Sequence, residues 1–284
     1  MNEIVKKSVR PDQRRSADKE EAPKHYIDLE LYGDSAAWKM PLRWKDALKK
    51  YGMDSLSKCG YVPYYVITMK ERLTAAFRSG NKDSILFYAT DLGHYISDAH
   101  VPLHVTENYD GQLTGQKGLH SLWESMIPEI EISQYDLRSR HKAHYLKRPE
   151  RDIWRAVRQS DKLLKDVFAE EKAVTKLFTE TEKYRVQMRN GKEYKSYTSA
   201  FAKAYSARLG NTINKQLISS ANLVADFWYT SWVDAGCPNL NKTIQWQGKK
   251  KEKSDLQAEW EAFRTNKLIA EKLLIAKQGQ EKED

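Results

Sequence analysis

The apolar residues of this chain recur in steps of three and four over long stretches, and that period decides its fold class. Val66, Met69, Leu73, Ala76 and Phe77 share one face of a helix over 62–78, closed by Gly80 and Asn81. Ile85, Leu86, Ala89, Leu92, Gly93 and Ile96 do the same over 83–99, where Pro102 stops the helix. Trp154, Val157, Leu163, Leu164 and Val167 mark a long helix over 152–178. Another helical region spans 199–233 and ends at Gly236 and Pro238. Shorter helices are predicted at 44–50 and 54–58, broken by Gly60, and at 119–126, closed by Pro128.

No convincing run of alternating strands stands out, and 188–196 reads as a glycine-bearing turn. Residues 1–24 read as a helix end followed by loop, His25–Tyr32 as extended or a short helix, and 33–42 as loop. The expectation is an all-α protein: one helical domain over 1–240, then a charged, partly helical tail over 241–284.

With 284 residues and 40% hydrophobic content, the chain can bury a substantial core. No apolar run approaches the roughly 20 residues that span a bilayer. Met1–Arg10 has no apolar stretch of the kind a secretory signal carries. The net charge of +9 suits a phosphate-bearing partner, but excess lysine also serves plain solubility. Lys249–Lys253 reads as a solvated linker before any nucleic-acid or membrane contact. Cys59 and Cys237 fit no zinc-ribbon spacing, and either a disulfide or two free thiols is open.

The chemistry concentrates between His94 and His120, which hold four of the seven histidines. His94 and Asp98 lie four apart on a predicted helix, so imidazole and carboxylate share a face and can converge on one cation. His120 and Glu124 repeat that spacing, and His104 follows the turn at Pro102. Zinc takes imidazole nitrogen and carboxylate oxygen at about 2.0–2.2 Å. One such pair is usually a surface hydrogen bond. Two pairs plus His104 beside Trp123 and a glycine-rich loop point to metal. His100 reads as near the metal shell or simply exposed, and His141 and His144 as solvated. Asn108, Tyr109 and Asp110 read as polar loop, with a cleft lining as the other option.

The motifs His94-xxx-Asp98-xxx-Pro102-x-His104 and Leu119-His120-Ser-Leu-Trp123-Glu124 resemble the zinc-dependent phospholipase C and single-strand-specific zinc nuclease superfamily, with bacterial zinc-dependent phospholipase C family proteins especially similar. Pro11-Asp-Gln-Arg-Arg15, Ala22-Pro-Lys-His-Tyr-Ile-Asp28 and Trp228-Tyr-Thr-Ser-Trp-Val-Asp-Ala-Gly236 carry the resemblance further, over roughly residues 8–240. It implies a helical bundle around a trinuclear zinc cluster. His25, His94 and Asp98 would bind a first zinc, with Asp12 as ligand or base. His104, His120 and Glu124 would bind a second, and Asp98 would bridge the first to a third. The implied activity is hydrolysis of a phosphodiester, in phospholipid or single-stranded nucleic acid, by metal-activated hydroxide with Asp12 and Asp98 catalytic.

The family's third zinc is held by an N-terminal tryptophan and a nearby histidine, and this sequence offers neither. Met1–Arg10 reads instead as helix interior. The expectation is therefore two zinc ions, in a chain begun at an internal methionine of a longer, exported protein. Two other readings stand beside the hydrolase: a zinc-binding scaffold without turnover, and a basic module for nucleic acid or anionic surfaces.

Overall fold

The computed structural model describes residues 2–189, 192–243 and 250–274. Lys249 of the charge run, the last ten residues of the tail, and Asn190 and Gly191 lie outside the described residues. The helices are α1 (Asn2–Lys7), α2 (Arg10–Arg15), α3 (Ala36–Lys39), α4 (Trp44–Cys59), α5 (Val62–Ser79), α6 (Lys82–Asp98), α7 (Leu119–Ser121), α8 (Ile127–Glu131), α9 (Pro149–Thr175), α10 (Glu180–Lys183), α11 (Ser199–Leu209), α12 (Thr212–Asp234), α13 (Leu240–Thr243) and α14 (Lys250–Arg264). Among the described residues the all-α expectation holds apart from one antiparallel hairpin, β1 (Tyr184–Arg189) with β2 (Lys192–Tyr197). The stretch read as a turn is thus mostly strand, with Val186 opposite Lys195 and Tyr184 opposite Tyr197.

The contacts divide the chain into two units. The first is Met1–Glu107, Ser139–Asp161 and Leu217–Ala258; the second is Asn108–Arg138, Lys162–Gln216 and Glu259–Asp284. Both draw on several stretches of chain. Among the described residues no helix is long and apolar enough to cross a membrane. Cys59 is buried, Cys237 is exposed, and both are free thiols.

In the first unit α5 and α6 pack as a pair. Pro63 in the first turn starts α5, and Gly80 ends it in the left-handed conformation at φ 66°. Asn81 then caps α6 by accepting from the Ser84 amide at 2.8 Å. Val66, Met69 and Leu73 of α5 and Leu92 and Ile96 of α6 are at most 1% exposed. Each such side chain stabilises the unit by about 1.5–3 kcal/mol. The helix α4 carries an extended break at Gly52, φ 74°, which divides it close to where the sequence separates two short helices.

In the second unit Pro128 does not close a helix. It sits in the first turn of α8, where proline costs no hydrogen bond. Between α7 and α8 the backbone widens into a π-turn over Leu122–Met126, a form that tends to occur at functional sites. The region read as one helix over 199–233 is two, α11 and α12, parted at Gly210.

Candidate metal centre

The site on α6 is built by three stretches of the first unit. Residues 23–28 are stitched to 59–62: Tyr61 donates to Pro23 O at 2.8 Å, Val62 to Tyr26 O at 3.1 Å, and Asp28 to Cys59 O at 2.8 Å. Gly60 makes this approach possible, since a Cβ there would lie 2.3 Å from Tyr26 O. The same stretch is tied to the turn Pro102–Val105. Ile27 donates to His104 O at 2.9 Å, and His104 Nδ1–H returns a bond to His25 O at 2.9 Å. That bond places the His104 proton on Nδ1 and so fixes its tautomer.

A charged network docks α2 onto α6. Arg14 donates to Asp91 at 2.8 Å, to Glu21 at 3.0 Å and to the Tyr95 hydroxyl at 3.0 Å. Arg10 also pairs with Asp91, whose side chain is 0% exposed, and Tyr95 donates to Glu21. Burial works against the Glu21 charge, but bonds from Lys24, Tyr95 and Arg14 outweigh it and hold its pKa at about 2. Asp12 sits between the two arginines on α2, and the network turns it toward His25 and His94.

The result is a convergence of four donor atoms. His25 Nδ1 lies 3.0 Å from Asp98 Oδ2 and 3.1 Å from His94 Nε2, and His94 Nε2 lies 3.4 Å from Asp98 Oδ2. Asp12 Oδ1 stands 3.7 Å from both imidazole nitrogens. Ligands at about 2.05 Å from a tetrahedral zinc are about 3.3 Å apart, so these spacings fit a zinc ion. The donor atoms are also sheltered from water, with His25 1% exposed and Asp98 4%. Burial disfavours the Asp98 charge, yet the imidazoles of His94, His104 and His25 prevail and keep its pKa below the ordinary value. Asp98 uses both oxygens, Oδ2 toward His25 and His94 and Oδ1 toward His104 Nδ1 at 3.5 Å.

In the second unit His120 Nε2 and Glu124 Oε2 are 2.6 Å apart on the widened turn after Gly118. The loop before them closes on itself: Leu113 donates to Asn108 Oδ1 at 2.7 Å and Gln116 to Gly111 O at 2.8 Å. Asn108 is buried, while Tyr109 is 52% exposed with its ring edge-on to His120, centroids 6.0 Å apart. Trp123 is buried, as core packing requires.

Of the two readings of His100, exposure falls: it is buried, donates Nδ1–H to Ile96 O at 2.8 Å, and has its pKa lowered by that burial. His141 and His144 are exposed, as a solvated stretch requires, and both also pair with Asp226, at 2.8 and 3.0 Å. Glu21 and Asp91 escaped notice altogether. Asp91 shares the face of α6 that carries His94 and Asp98, away from the apolar stripe, so the helical period gives no sign of its burial.

A helical chain with paired histidines and carboxylates gathered on helix faces carries the donor set of a divalent-metal centre, the kind that metal-dependent hydrolases use. The sequence model of the S1/P1 nuclease family matches residues 1–227, and the chain belongs to that family. Its members are zinc-dependent phosphodiester hydrolases that act on single-stranded nucleic acid. Neither a curated protein nor a solved structure gives a significant match.

Proposed function

We propose that this protein cleaves single-stranded nucleic acid, with His25, His94 and Asp98 holding the first zinc and Asp12 facing the reacting water. The observation that carries the ligand set is the convergence of His25 Nδ1, His94 Nε2 and Asp98 Oδ2 within 3.0–3.4 Å of one another in a buried pocket. When bound, zinc supplies positive charge to phosphoryl oxygens and acidifies water. The chain's own groups do the rest. Asp98 neutralises charge from inside the pocket. Asp12, with half its side chain exposed at 51%, is the carboxylate open to solvent and is placed to accept a proton from water. On the sequence motif, His104, His120 and Glu124 are the ligands of a second zinc.

Nucleic acid is favoured over phospholipid by Tyr109. An exposed aromatic ring beside His120 offers a stacking face, worth about 1–3 kcal/mol per base. The net charge of +9 draws either polyanion and does not separate them. The test compares a single-stranded oligonucleotide, the duplex, phosphatidylcholine vesicles and bis(p-nitrophenyl) phosphate. The proposal expects zinc-dependent cleavage of the single strand. It also expects Tyr109→Ala to raise KM for the oligonucleotide about 5- to 150-fold while leaving the small ester unaffected. Vesicle hydrolysis without oligonucleotide cleavage would overturn the substrate, and turnover insensitive to chelation would overturn the zinc.

A further inference from the structure

A second cluster of metal-binding side chains lies within the first unit, apart from the α6 site. Residues 136–146 form no regular secondary structure, yet they are held along one stripe of α12. Ser139 Oγ donates to Asn222 Oδ1 at 2.9 Å. The Leu146 amide donates to Thr230 Oγ1 at 2.9 Å, and the Tyr145 hydroxyl to Asp234 Oδ1 at 3.0 Å. Asn222, Asp226, Thr230 and Asp234 are four apart in turn, which puts them on one helix face. Asp226 is the middle rung. Its Oδ1 meets His141 Nε2 at 2.8 Å, His144 Nδ1 at 3.0 Å and the His144 amide at 2.9 Å.

We propose that His141, His144 and Asp226 form a further divalent metal site, suited to zinc, that clips the 139–146 segment to α12. Two imidazole nitrogens and one carboxylate oxygen, all within 4.8 Å of one another, are a zinc donor set. The two carboxylate–imidazole spacings need to open by less than about 0.6 Å to reach the roughly 3.3 Å ligand separation of tetrahedral zinc. The Asp226 side chain is 5% exposed and already oriented by the His144 amide, which would remain as its supporting donor once a metal is bound. The His144 side chain is 61% exposed, so the ion has an entry path and water can complete the coordination. On binding, each neutral imidazole carries its proton on the ring nitrogen facing away from the ion, and an imidazolium gives one proton to solvent. Arg140 and Lys142 flank His141 in sequence and oppose a cation, so the site is expected to be weaker than the α6 site.

This inference does not rest on the nuclease reading. Zinc-free protein, wild type and His141→Ala/His144→Ala, is brought to equilibrium with buffered zinc by dialysis, and the bound metal is counted. Wild type should retain one more equivalent than the double variant. Added zinc should also raise the thermal midpoint of wild type beyond the rise seen in the variant, with oligonucleotide cleavage equal in both. Should the double variant not fold, His144→Ala alone is read the same way, since that side chain is largely exposed. Thr230→Val, which loosens the neighbouring rung without removing a ligand, should keep the stoichiometry. Equal zinc content in wild type and in the histidine variants would overturn the site and leave the α6 centre untouched.

Discussion

Lys183→Met should destabilise the second unit by about 3–5 kcal/mol. Lys183 and Glu171 form an ion pair at 2.8 Å with side chains 5% and 1% exposed. Glu171 also accepts from the Tyr197 hydroxyl at 3.1 Å, the Thr175 hydroxyl at 3.1 Å and the Gln116 amide. Methionine keeps the length of the side chain and removes its charge. It leaves a buried carboxylate with hydrogen bonds but no cation, and that is the costly half of a broken pair. Against a total stability of about 5–15 kcal/mol for a domain, the loss is large.

Adding Glu171→Leu should return most of it, because the remaining donors keep other acceptors. Gln116 still donates to Phe168 O at 2.9 Å, and Tyr197 to Gln116 O at 3.2 Å. Urea titration of the zinc-free protein, followed by far-ultraviolet circular dichroism, measures the single and double variants. A single variant within about 0.5 kcal/mol of wild type, as for an ordinary surface change, would refute the reasoning. So would a double variant less stable than the single one.

Gly111→Ala should cost about 2–3 kcal/mol or more, because φ is +71° and the new Cβ would lie 2.4 Å from Gln116 O; the same urea titration reads it. Asp28 has its pKa raised to about 7 by burial and by the charges of Glu30 and Glu107. The folded state therefore binds a proton more tightly than the unfolded chain, whose aspartate titrates near 4, and stability falls as pH rises between the two values. Asp28→Asn should thus gain on wild type at pH 8 and not at pH 4, seen as a thermal midpoint difference that grows with pH. His94→Ala should lower zinc affinity by more than the about 10- to 100-fold typical of changes around a ligand. It should also remove the α6 site's share of the zinc-induced stabilisation, about 2.7 kcal/mol at one hundred times its Kd, as calorimetry would record.

The helices of the core were legible because burial imposes its period on the sequence. Val66, Met69 and Leu73, or Leu92 and Ile96, cannot face a core in any other conformation with that spacing. The pairing of His94 with Asp98 was legible for the same reason: four residues make one turn. His25 and Asp12 were not, since each lies outside a periodic element and reaches α6 through contacts distant in sequence. The reciprocal bonds between 25–27 and 104, and the arginines that meet Asp91, leave no local trace. The hairpin was missed although Asn190-Gly191 is a strong two-residue turn signal and Tyr184, Val186 and Met188 alternate with Arg185, Gln187 and Arg189, because the partner run Lys192–Tyr197 is largely polar and shows no such alternation. Pro128 misled because proline stops a helix only when it falls beyond the first turn.

The proposed function stands on zinc held by His25, His94 and Asp98. Crystals grown with zinc and measured on both sides of its absorption edge would test it directly. An anomalous peak is expected about 2.0–2.2 Å from His25 Nδ1, His94 Nε2 and Asp98 Oδ2. Absence of a peak there, in crystals of protein that cleaves a single-stranded oligonucleotide, would contradict it.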